Sequence, residues 1–139
     1  MSFEEIFDSS YERILNTQKN GLGFFESFYQ HFLNADNDIT KRFENTNMAL
    51  QQSMLKKSFY SLFAFYASGQ TDDSLSRIAE KHNHKNLNIH PRFYDTWLEC
   101  LIANVSQFDD EFCEDIELAW RLVMAPGITY MKFKYDKES

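Results

Sequence analysis

Leu75-Ser-Arg-Ile-Ala-Glu-Lys-His82-Asn-His84-Lys-Asn-Leu-Asn-Ile89-His90-Pro91-Arg-Phe-Tyr94 reads as an amphipathic helix ending in histidine, an irregular turn, and a second helix opened by proline. Leu75, Ile78, Ala79 and His82 fall at i, i+3, i+4 and i+7, which puts His82 on the face of three apolar side chains. At about 100° per residue, His84 faces roughly the opposite way if the helix continues that far. A histidine closing an apolar stripe is either a core residue hydrogen-bonded to backbone or a metal ligand inside a hydrophobic pocket. Its spacing alone leans to the first.

Helical periodicity extends outward from this stretch in both directions. Ser2-Phe-Glu-Glu5 is a capping box, with Phe3, Phe7, Tyr11 and Leu15 following at steps of four, so a first helix starts near residue 3. Asn20-Gly-Leu-Gly23 breaks it. A second helix carries Phe25, Phe28, Tyr29, Phe32 and Leu33, and Asn34-Ala-Asp-Asn37 ends it and caps a short turn from Ile39 to Phe43. A long helix is expected from about Met48 to Ser68, with Met48, Leu55, Phe59, Leu62, Phe63 and Tyr66 buried and Gly69 as its stop. Gln51 and Gln52 flank that stripe. The His82 helix begins near Thr71 or Asp72.

Downstream, Pro91 suits the first position of a helix, where its missing N–H costs nothing. Tyr94, Trp97, Leu98, Leu101 and Val105 form its face. Asp109-Asp110 is expected to cap the last helix, which buries Ile116, Trp120, Val123, Gly127 and Met131 and should kink at Pro126-Gly127. No strand pattern, repeat or low-complexity tract occurs. The expectation is all-α, with one domain over residues 1–139 and irregularly crossed helices in place of an up-down bundle.

Composition narrows the function. The 139 residues suffice for a core without staples. A net charge of -7 argues against nucleic-acid partners, which need clustered Lys and Arg. No apolar run is long enough for a membrane span, and Met1-Ser-Phe-Glu-Glu5 lacks the look of a secretory signal. Cys100 and Cys113 fit buried thiols in a reducing cytoplasm, and neither has a close partner at metal-finger spacing. Fourteen Phe and seven Tyr suit either a bulky core or the lining for a flat apolar cofactor.

Phe28-Tyr29, Ile39 with Phe43, a Gln-bearing helix, the His82 helix and Pro91-Arg-Phe-Tyr94 together resemble a bacterial globin. The pattern is similar to the haem domain of flavohaemoglobins and to bacterial single-domain haemoglobins, and covers about Phe24 to Tyr135. The run His82-x-x-x-x-Leu87-x-Ile89-x-Pro91-x-x-Tyr94-Asp-x-Trp97-Leu98, with Ala119-Trp120-Arg121 and Pro126-Gly127-Ile128, is similar to proteobacterial single-domain globins. Truncated globins fit less well, since the chain has four Gly and no Gly-Gly.

The resemblance implies a globin fold of six to eight helices around haem b (iron protoporphyrin IX). It implies His82 as the iron ligand, leaving the sixth position open to a gas. An ungapped count back from Pro91 selects His84 instead, and that alternative stays open. Phe43 would pack flat on the haem and Leu55 would cover the iron, with Phe28, Leu87, Ile89 and Tyr94 also lining the pocket. Tyr29 matches the distal tyrosine, whose hydroxyl donates to bound dioxygen. Gln51 matches the distal glutamine, with Gln52 as alternative. In flavohaemoglobins a Tyr–Glu pair backs the histidine. Tyr94 matches the Tyr, but Tyr135 stands where the Glu should be, so the relay is expected to be incomplete.

The implied function is reversible binding of dioxygen, with nitric oxide and carbon monoxide as further ligands, for transport or scavenging in the cytoplasm. Catalysis is not expected. One alternative is nitric oxide dioxygenation with a separate reductase, since no flavin or nicotinamide domain follows Ser139. Others are a gas sensor acting through a partner, and a haem-free helical protein. Monomer and homodimer both fit. His31 is expected to point away from the pocket, His90 to cap or face solvent, and Cys100 to be core.

Overall fold

Ser2 opens the first helix. Its hydroxyl accepts from the Glu5 N–H at 3.1 Å, and the Glu5 carboxylate accepts in return from the Ser2 N–H. In the computed structural model, which describes residues 1–137, this helix is α1 (Phe3–Leu15). The described residues form six more helices: α2 (Phe24–Leu33), α3 (Asn37–Phe43), α4 (Met48–Ser68), α5 (Asp73–His82), α6 (Arg92–Phe108) and α7 (Glu114–Lys134). Side-chain oxygens of Asp36, Asn47 and Asp72 accept the first free N–H groups of α3, α4 and α5. Gly69 ends α4 at a φ of 71°, a left-handed conformation that suits glycine. All-α architecture is the result, and none of these helices is long and apolar enough to cross a membrane.

Helix α7 is the central support, packing against α1, α4, α5 and α6, while α2 crosses α6. Trp120 is fully buried, with the Phe7 ring edge-on at 4.6 Å and the Phe59 ring at 6.1 Å. Gly127 lets α4 come close, because a Cβ there would stand 2.1 Å from Leu62 Cδ2. The anticipated buried faces of α4 and α7 are present, though Met48, Phe63 and Tyr66 are only partly covered. Helix α7 continues unbroken through Pro126.

The expected capping role of Asp109-Asp110 is corrected. Helix α7 begins at Glu114 with Cys113 as a cap that makes no side-chain bond. Asp109 is instead buried at the end of α6. Its carboxylate accepts from Ser10 Oγ at 2.6 Å and from Arg13 Nε at 2.7 Å. Ser10 accepts in turn from Trp120 Nε1 at 2.9 Å, so one polar chain ties α1, α6 and α7. Glu114, Asp115 and Glu117 provide the negative charge that favours the N-terminal end of α7. The expectation of two buried thiols is also corrected: Cys100 is half-buried, and Cys113 is exposed at the turn before α7.

Candidate functional site

Helix α5 ends on His82, whose Nδ1 lies 3.2 Å from the Tyr94 hydroxyl on α6. In the tautomer that leaves Nε2 its lone pair, Nδ1–H donates to the Tyr94 oxygen. Burial first, and the Lys81 charge second, push the imidazole pKa down to about 4, so the ring is neutral near pH 7. Burial also raises the Tyr94 pKa and keeps its phenol protonated. Among the described residues, Nε2 has no hydrogen-bond partner, and neither His82 nor Tyr94 is bonded to a carboxylate.

A second pair joins α2 to α4. Gln51 Nε2 donates to the Tyr29 hydroxyl at 3.2 Å. Tyr29 is 4% exposed, and its own hydroxyl proton has no acceptor among the described residues. Burial pushes its pKa up to about 12 against a small opposing effect of the Gln51 bond. The Phe43 ring, at the end of α3, lies 6.1 Å from that of Tyr29 and 6.2 Å from that of Phe32. Leu55, one turn beyond Gln51, is buried. The Gln52 side chain makes no hydrogen bond among the described residues, and of the two glutamines Gln51 is the one bonded to Tyr29.

The two pairs do not touch. The helices that carry Tyr29 and Tyr94 meet through Phe28 and Trp97, whose rings stand 6.1 Å apart. Ile89 is half-buried against the core, but Leu87 is 55% exposed and borders a separate open cleft with Arg77, Glu80, Lys81 and Asn86. Leu87 therefore stands apart from the other residues expected to line the pocket.

His84 is drawn elsewhere. Its Nδ1 and its backbone N–H both donate to the Tyr135 carbonyl, each at 2.8 Å, on the exposed side of the turn. Helix phase accounts for this, since two residues beyond His82 the chain has left the apolar stripe. His90 accepts the Arg92 N–H on Nδ1 at 3.1 Å and so caps α6, while His31 is exposed. Tyr135 bonds to the turn after α5 and not to Tyr94.

Sequence reasoning missed Arg42 and Asn88, which shape that turn. Asn88 holds a φ of 53°, a conformation asparagine tolerates better than most residues. Arg42 donates to the Leu87 carbonyl, 45 positions away, and no local pattern announces such a bond.

Over 98% of its length the chain is similar to a protein of Pseudomonas aeruginosa PAO1, described from its crystal structure as structurally highly homologous to a human haemoglobin. The two share 32% identity with a TM-score of 0.88, and the alignment covers 100% of that protein's chain. No protein-family model and no curated protein matches the sequence. The seven-helix fold and this relationship over nearly the whole chain agree, and the chain belongs to the globin family.

Proposed function

We propose that the chain is a haem-binding globin that reversibly binds dioxygen, in which His82 would ligate the iron and Tyr29 and Gln51 would stabilise the bound gas. The observation that carries this reading is the state of His82. The imidazole is half-buried and neutral near pH 7, Nδ1 lies 3.2 Å from the Tyr94 hydroxyl, and Nε2 has no hydrogen-bond partner among the described residues. No group of three or more metal-ligating side chains occurs among the described residues. A bare ion would therefore find too few donors, whereas iron delivered inside a porphyrin needs one axial histidine. The sequence has no Cys-x-x-Cys-His run for covalent attachment, which suits haem b.

Phe43, Leu55, Phe28, Ile89 and Tyr94 are the apolar and aromatic side chains that would hold the macrocycle. Haem supplies an iron with one open coordination position for a diatomic gas. The chain's own residues do the rest. Tyr94 would accept from Nδ1–H and so support the tautomer that leaves Nε2 to the iron. Tyr29 offers a hydroxyl proton inside a water-poor site, and Gln51 holds the Tyr29 oxygen in place by donating to it. The absence of a carboxylate behind His82 and Tyr94, among the described residues, limits electron donation to the histidine. That favours binding over nitric oxide dioxygenation with a separate reductase.

The test is an absorption spectrum of protein made with ample haem, then reduced under carbon monoxide. An intense near-ultraviolet band that shifts with carbon monoxide, disappears in His82→Ala and persists in His84→Ala is the expected result. The reverse pair moves the ligand to His84. A protein that stays colourless after haem titration overturns the reading.

A further inference from the structure

Arg42 immediately precedes Phe43 on α3, yet its hydrogen bonds cross to the segment that follows His82. Nη1 donates to the Leu87 carbonyl at 2.7 Å and Nη2 to the Asn88 carbonyl at 2.9 Å. A planar guanidinium holds two successive carbonyls at fixed spacing, which a single ammonium cannot copy. The guanidinium carbon also lies over the Phe93 ring, 5.8 Å from its centre. Phe93 is the neighbour of Tyr94. Arg42 thus reaches both arms of the His82–Tyr94 pair: the turn that leaves the histidine and the residue that precedes the tyrosine.

Tyr135 grips the same turn from the end of α7. Its carbonyl accepts from His84, and its hydroxyl donates to Asn88 Oδ1. Asn88 is therefore held at its carbonyl by one residue and at its side chain by the other. Its left-handed backbone is disfavoured for a non-glycine residue, so the conformation relies on such partners. The turn closes on its origin, because the Ile89 N–H donates to the His82 carbonyl at 3.0 Å.

We propose that Arg42 and Tyr135 are positioning residues that clamp residues 83–89 and so fix the His82 imidazole against Tyr94. Through Arg42, the short helix bearing Phe43 is tied to the histidine on the other side of the site. The importance given to His82 rests on the function proposed above, but the clamp is a property of the polypeptide and is testable apart from it.

The test uses the full chain, in its carbon monoxide form where haem is taken up and as the colourless protein where it is not. Two quantities are read: amide hydrogen exchange at Leu87 and Ile89, and the ¹⁵N chemical shifts of the His82 ring. The Trp120 indole N–H, remote and bonded to Ser10, serves as the control for the fold. Arg42→Ala is expected to speed exchange at the two amides about tenfold and to move the His82 shifts, leaving Trp120 unmoved. Arg42→Lys restores only part of the protection, since one ammonium nitrogen does not reproduce the fixed spacing of the two guanidinium nitrogens. Tyr135→Phe, which removes only the bond to Asn88, gives a smaller change of the same kind. Should Arg42→Ala fail to fold, these two milder variants carry the test. Wild-type exchange and wild-type His82 shifts in the variants overturn the proposal, as does a change that Trp120 shares. A colourless protein with an intact clamp would sink the haem reading alone.

Discussion

The Tyr29 hydroxyl stands 3.2 Å from the Gln51 amide nitrogen, a bond that joins α2 to α4 across 22 positions of sequence. Gln51 occupies an acceptor site on the Tyr29 oxygen and leaves the hydroxyl proton free to donate. A hydrogen bond to a partly charged oxygen contributes about 1.5–3 kcal/mol. Tyr29→Phe should therefore release dioxygen from the haem-loaded protein about ten- to a hundredfold faster. Gln51→Leu should have a smaller effect, because it acts by holding the tyrosine. Dissociation rates from stopped-flow mixing check both, and equal rates for wild type and Tyr29→Phe would remove Tyr29 from the site.

His82 makes the haem-free protein acid-sensitive in a defined window. The folded-state pKa is about 4 against 6.5 for the free side chain, so the unfolded chain binds a proton that the folded one refuses. Stability then falls as pH drops from about 6.5 to about 4, by up to roughly 3 kcal/mol. The slope should flatten in His82→Phe. Urea unfolding of the haem-free protein at a series of pH values measures it.

Asp109 acts in a lower range. Burial alone would raise its pKa, but hydrogen bonds from Arg13, Ser10 and the Glu111 N–H outweigh that and hold the carboxyl below its ordinary value. A depressed carboxyl pKa contributes stability that is present above about pH 3.9 and lost as pH falls through the folded value. Asp109→Ala should cost about 1.5–3 kcal/mol at neutral pH, since Ser10 loses its acceptor and the partly exposed Arg13 keeps only its longer contact with Glu111. Ser10→Ala should cost about 1–3 kcal/mol by leaving the buried Trp120 N–H unpaired. Chemical denaturation gives both values; a Ser10→Ala protein as stable as wild type would show that the indole finds another acceptor.

Gly127 should resist even a methyl group. The added Cβ would meet Leu62 Cδ2 at 2.1 Å, and Leu62 is buried, so Gly127→Ala forces repacking at about 1–3 kcal/mol. Adding Leu62→Ala should recover part of that cost, whereas two independent losses would simply sum. A double-mutant cycle in thermal unfolding distinguishes the two outcomes.

Local chemistry made most of the helices and one side of the site legible. The Ser2–Glu5 box, the stop at Gly69 and the face periodicity set the bounds of α1 and α4, because capping and amphipathic spacing are short-range effects. Helix phase likewise put His82, and not His84, on the apolar side. Tertiary structure decided what depends on partners distant in sequence. It paired Gln51 with Tyr29, drew His84 and Asn88 to Tyr135, and diverted Asp109 from α7 to Arg13 and Ser10 of α1. A carboxylate before a helix reads as a cap until a guanidinium from elsewhere claims it. A buried polar group takes the partner that packing brings within reach, and spacing along the chain does not encode that distance.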